Sequence, residues 1–165
     1  MLNNLNIFYK KKILIYGLGK SGLSVLKFLK KNNEITTHDD KIKVDNKDIT
    51  KIKFDYIIIS PGIDINKCNL SKFLKNNSKK IYTDLDIFYN HHMENNKITI
   101  TGTNGKSTTA KILFDTLRDQ KVDVRLVGNI GNPVLSEKKI TNKTVFVIEA
   151  SSYQLEYSKL FKSNI

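Results

Sequence analysis

The chain has 165 residues, with 28 lysines and arginines against 16 acids and a formal net charge of +12. No apolar run approaches the ~20 residues of a membrane span, and the start, MLNNLNIFYKKK, lacks the order of charges and the small-residue site of a secretory signal. The single cysteine, Cys68, excludes an internal disulfide and fits a reducing, cytoplasmic setting.

The charge does not form a nucleic-acid footprint. Only Arg118 and Arg125 are arginines, and the lysines are spread along the chain rather than clustered. Its expected consequence is attraction for anionic small molecules, nucleotides among them.

In chain order, KILIY (12–16) is a short apolar strand that ends at a glycine turn. Gly22, Val25, Leu26 and Leu29 then recur at helical spacing on one face. EITTH (34–38) is a second strand, rich in β-branched residues. DYIIIS (55–60) is a third; its continuous apolar centre predicts a strand covered on both faces, as in a parallel sheet. KIYT (80–83) is a fourth, and Asp84 is expected to cap a short helix through Asn90. Around HHMENNK (91–97) the chain turns polar, which places a domain boundary between residues 92 and 93. The pattern then restarts. KITIT (97–101) is a strand, and Ala110, Leu113, Phe114 and Leu117 form one face of a helix. DVRLV (123–127) and TVFVIE (144–149) are further strands, with a last helix expected over 154–161. Two βα-alternating blocks predict two α/β units with mostly parallel sheets, the second short of strands.

The most specific motif is TGTNGKST (101–108). It follows a strand and opens a helix. Gly102 and Gly105 let backbone N–H groups turn toward one point, and the helix N-terminus adds positive charge there. Lys106 supplies a full charge for phosphates, and the Ser107 hydroxyl is a candidate Mg²⁺ ligand. Only two residues separate the glycines, where the common phosphate loop has four. Glu149 ends a strongly apolar strand, where a carboxylate is the natural partner for Mg²⁺ in a phosphate-loop sheet.

GLGKSG (17–22) is G-x-G-x-x-G between strand and helix, with Asp39-Asp40 about 20 residues on at the end of the second strand. This context suits a nucleoside diphosphate, and the acid can hold a ribose hydroxyl or a base. SPGI (60–63) ends the third strand on the same side, and GNIG (128–131) ends another. Ser151 and Ser152 have no histidine at triad spacing. His38, His91 and His92 have no metal spacing and read as surface residues, and Cys68 reads as structural.

Together GLGKSG, the Asp39-Asp40-Lys41 strand end, SPGI, DLDIF (84–88), ITGTNGKST, GNIG and IEASSYQLE (148–156) resemble the Mur ligase family, and within it the D-glutamate-adding members. The resemblance implies a Rossmann-like N-terminal domain (1–92), followed by an incomplete P-loop-type central ATPase domain (93–165). It implies that Leu18, Lys20, Ser21, Asp39, Lys41 and Gly62 hold the uridine diphosphate part of UDP-N-acetylmuramoyl-L-alanine. Asn129, Ser151 and Gln154 would face the muramoyl-alanine part. Gly102, Thr103, Asn104, Gly105, Lys106, Ser107 and Thr108 would bind ATP. Ser107 and Glu149 would hold Mg²⁺, with Lys106 and Glu149 as the catalytic pair. In the family, ATP activates the substrate carboxylate as an acyl phosphate, which the amine of D-glutamate attacks. The family's C-terminal domain has no counterpart in these residues, so the 165 residues alone are not expected to complete the ligation. A monomer is expected, without nucleic acid or membrane span. Competing readings are an NAD-binding redox or sensor domain built on GLGKSG, and a non-catalytic nucleotide-binding module.

Overall fold

A computed structural model describes residues 6–42 and 48–165 of the chain. Four strands form the first sheet: β1 (Lys12–Tyr16), β2 (Glu34–His38), β3 (Tyr56–Ile59) and β4 (Ile81–Tyr82). They are parallel in the order β2-β1-β3-β4. The helices of this half are α1 (Lys20–Leu29), α2 (Ser71–Asn76) and α3 (Asp84–His91).

The apolar runs of β1 and β3 are continuous because both faces of the sheet are covered. Leu14, Tyr16, Ile57 and Ile59 pack on one side with Leu74 of α2. Ile13, Ile15 and Ile58 pack on the other with Val25 and Leu29 of α1. That assignment follows the two-residue period of a strand. EITTH forms the edge strand β2, and its residues are correspondingly less buried.

The second sheet holds β5 (Asn96–Ile100), β6 (Val124–Gly128) and β7 (Val145–Glu149), parallel in the order β5-β7-β6. Helix α4 (Lys106–Asp119) covers one face through Ala110, with Leu113, Phe114 and Leu117 beside it. The other face buries Val127, Phe146 and Ile148 against Leu85 and Phe88 of α3. Helix α3 thus serves both sheets, since its Ile87 packs into the first core. The α/β class with parallel sheets expected from the sequence is the observed one.

Three local expectations differ. Asp84 is the first residue of α3 rather than its cap. Thr83 occupies the cap, and its N–H donates to the Asp86 carboxylate at 2.8 Å. Helix α2 has no clear apolar period in the sequence and is an addition to the expected elements; its Leu74 is fully buried in the first core. The last helix, α5, runs Ser152–Tyr157 instead of 154–161, because Ser151 and Gln154 cap it early. Beyond it the chain is irregular, with a bend at Lys159 and Leu160. Asp86 Oδ1 accepts the N–H groups of Lys159, Leu160 and Phe161 at 2.8, 2.7 and 3.2 Å. These backbone donors have no helical or strand partner there, and the buried Asp86 carboxylate satisfies them.

Candidate functional site

The strand order of the first sheet reverses direction between β1 and β3, and ligands of open α/β sheets sit at that switch point, at the carboxyl ends of the strands. The turn after β1 is tightly built there. Gly17 has φ +92°, and Ser60 Oγ, at the end of β3, donates to its carbonyl at 2.7 Å. A Cβ on Gly22 would lie 1.8 Å from that same carbonyl oxygen, so α1 can approach the turn only with glycine at this place. Asp39 Oδ2 accepts the Leu18 N–H at 2.7 Å, and its Oδ1 accepts the Lys41 N–H at 2.9 Å. Those two backbone donors, Leu18 first, hold the Asp39 carboxyl below the usual carboxylate range.

Tyr16, on the floor of this end of the sheet, donates from its hydroxyl to Asp40 Oδ1 at 2.6 Å. Burial raises the Tyr16 hydroxyl well above its ordinary value, with the Asp40 hydrogen bond acting the same way. His38, expected at the surface, is half-buried edge-on to Tyr16 and lies 3.3 Å from Asp40. Burial lowers His91 and His92 from the ordinary histidine range, and both pack against phenylalanine rings, Phe28 and Phe88.

A cavity of about 600 Å³ opens above these loops. Lys20, Ser21, Asp39, Lys41 and Gly62 of the first half line it, and Asn129 of the second half closes it. The structure therefore brings the expected uridine-diphosphate residues and Asn129 together. Leu18 stands apart, its N–H committed to Asp39 and its side chain partly packed in the core. Ser151 and Gln154 are not brought to this cavity. They cap α5 reciprocally, Gln154 N–H donating to Ser151 Oγ at 3.1 Å and Ser151 N–H to Gln154 Oε1 at 3.2 Å. The Gln154 amide is 2% exposed and donates to Asp84 at 2.9 Å. Lys67, Cys68 and Pro133 also line the cavity and carried no signal in the sequence. Lys67 and Cys68 lie past the end of SPGI in an irregular loop, where spacing says nothing about direction.

The second site lies at the carboxyl ends of β5, β7 and β6. Ile100 and Gly128 both pair with Glu149, so the three strands end side by side at that residue. Gly102 (φ +139°) and Gly105 (φ +78°) take the left-handed backbone that the short loop requires. Thr103, Asn104 and Thr108 are exposed around them. Lys106 Nζ donates to the carbonyls of Gly102 and Thr103 at 2.6 and 3.1 Å. Ser107 Oγ donates to Glu149 Oε2 at 2.8 Å, and Glu149 is 4% exposed. The two residues expected to share a metal are thus in contact across 42 positions of sequence. Among the described residues there is no group of three or more His, Cys, Asp or Glu that could hold a metal ion. A cation here would rest on the Ser107 and Glu149 oxygens, with ligand and water oxygens completing its shell. That all-oxygen set suits Mg²⁺. No helix among the described residues is long and apolar enough to cross a membrane.

Residues 100–164 match the family described as the Mur ligase middle domain. The chain is 35% identical to the UDP-N-acetylmuramoylalanine--D-glutamate ligase of Rickettsia bellii, over 98% of this chain and 38% of that protein. It is 40% identical to the same-named ligase of Francisella philomiragia over 88% of this chain and 35% of that protein. With the ligase of that name from Clostridioides difficile the identity is 34%, over 94% of this chain and 39% of that protein. The chain thus spans less than two-fifths of the length of these relatives. On these matches the chain belongs to the Mur ligase family.

Proposed function

We propose that the chain is part of an ATP-dependent amide-bond ligase that joins D-glutamate to UDP-N-acetylmuramoyl-L-alanine in peptidoglycan synthesis. The observation that carries the reading is the Ser107–Glu149 contact at 2.8 Å beneath the phosphate loop. A dinucleotide-binding redox domain has no use for that pair, whereas a phosphoryl-transfer site needs it.

Each half has its own part. The cavity at the β1–β3 switch point takes the uridine diphosphate group, with Lys20 and Lys41 facing its charge and Asn129 reaching it from the other half. The loop from Gly102 to Thr108 takes ATP, which supplies the phosphoryl group that activates the substrate carboxylate. Among the described residues Lys106 has only its own loop carbonyls as partners, so its ammonium can move onto phosphate oxygens without leaving a carboxylate there unpaired. Glu149 orients the Ser107 hydroxyl, and the pair offers the oxygens that would hold Mg²⁺. Positive charge fixed in advance around the transferring group is where such a site gains its rate.

The test is calorimetric titration of ATP, with and without Mg²⁺, into the chain and its Lys106→Ala and Glu149→Gln variants. Mg²⁺ is expected to tighten binding to the unaltered chain. Glu149→Gln should abolish that metal effect, and Lys106→Ala should weaken binding roughly tenfold or more, in line with loss of a charge-assisted contact. Tight NADH binding with indifference to Lys106→Ala would replace the ligase reading with the redox one.

A further inference from the structure

An acid at the end of the second strand of a dinucleotide-type fold ordinarily serves by accepting ribose hydroxyls. Asp39 stands in that place, but its carboxylate is engaged on both sides. One oxygen takes the Leu18 N–H of the turn after β1 at 2.7 Å, the other the Lys41 N–H after β2 at 2.9 Å. The two backbone segments it joins are adjacent walls of the 600 Å³ cavity, one leading into Lys20 and Ser21, the other carrying Lys41. The turn is fixed at a second point by the hydroxyl of Ser60 on the Gly17 carbonyl. It is fixed at a third by the close approach of Gly22.

We infer that Asp39 is a positioning residue: it clamps the Leu18 turn to the Lys41 strand end and shapes the diphosphate side of the cavity through their backbones, rather than by binding the ribose. The inference rests on the uridine-nucleotide reading given above and assigns a role within that site. It also explains why an acid can sit beside a site for an anionic ligand. Its charge is spent on two N–H donors that face it, while Lys20 and Lys41 offer their side chains to the cavity. A carboxylate accepting two N–H bonds is a stronger clamp than an amide, because both bonds are charge-assisted. Asparagine at this position has one acceptor oxygen and turns an NH₂ group against the other N–H.

The experiment has two arms. In the first, amide hydrogen exchange is followed in the unliganded chain and in Asp39→Asn. The Leu18 and Lys41 amides are expected to exchange at least tenfold faster in the variant, with the β1 and β3 core amides unchanged; no acceleration at Leu18 and Lys41 overturns the clamp. In the second, uridine 5′-diphosphate and its 2′,3′-dideoxy analogue are titrated into both proteins. The clamp predicts that Asp39→Asn weakens both ligands by the same factor, about tenfold for one lost charge-assisted bond. A penalty that vanishes with the dideoxy analogue would make Asp39 a ribose ligand and overturn the inference. If neither nucleotide binds the unaltered chain, the uridine reading fails, and the exchange arm still decides the clamp.

Discussion

At the scale of single residues, the site is set by a few contacts that tolerate little change. Gly22 is one. An added Cβ meets the Gly17 carbonyl oxygen at 1.8 Å, and the obstacle is backbone, which cannot rotate away. Gly22→Ala is expected to lower stability by about 2–3 kcal/mol, as overpacking does elsewhere. Gly19→Ala, whose added atom meets nothing within 4 Å, should cost much less. Chemical denaturation of the two variants checks the contrast. Asp84 supplies a second test. Burial raises its carboxyl from the ordinary value of 3.8, and the hydrogen bond from Gln154 opposes that shift only in part. A carboxyl raised in the folded state contributes most below its unfolded value and loses that contribution as pH rises through the folded one. The unaltered chain should therefore lose stability relative to Asp84→Asn as pH is raised from about 4 toward neutrality. Asparagine keeps an oxygen for the Gln154 amide, so the variant should match or exceed the parent at pH 7. Denaturation midpoints across that range give the answer; parallel curves for the two proteins would contradict it.

At the scale of elements, α3 is the piece that joins the two halves. Leu85 and Phe88 enter the second core, Ile87 the first, and Phe88 meets Phe146 edge-on at 4.8 Å between ring centres. Its Asp86 gathers the Thr83 N–H and the three donors of 159–161. Asp86→Ala leaves four buried or half-buried N–H groups without their acceptor, and a loss of about 3 kcal/mol or more is expected. Because the donors come from both halves, both should melt together in the parent. In the variant the 158–165 segment should show raised hydrogen exchange before the β1–β3 core does. None of this was legible in DLDIF beyond a helix start. The sequence pattern shows that an acid stands near an N-terminus, but not that one carboxylate turns inward to collect donors from 70 residues away.

At the scale of the whole molecule, the carboxyl ends of the strands of both sheets carry the loops of the two candidate sites. The parallel sheets were readable from DYIIIS and TVFVIE, since continuous apolar runs of strand length require cover on both faces. The loop at 101–108 was readable from glycine spacing, and the approach of its Ser107 to Glu149 followed from the strand that ends there. The cavity was readable only in pieces. Gly62 and Asn129 carried turn signals, yet their meeting depends on how two sheets are set against each other, which no local period encodes. Ser151 and Gln154 illustrate the converse: their side chains satisfy each other and the start of α5, a use that Ser-x-x-Gln spacing itself suggests.

On the proposed function, one cavity, walled by both halves, receives the uridine nucleotide substrate. Titration of UDP-N-acetylmuramoyl-L-alanine into the chain and into its Lys20→Ala and Asn129→Ala variants tests it most directly. Saturable binding that each substitution weakens, roughly tenfold for a lost charge-assisted contact at Lys20 and less at Asn129, is the predicted result. Binding indifferent to Asn129, or no binding where NADH binds well, would contradict it.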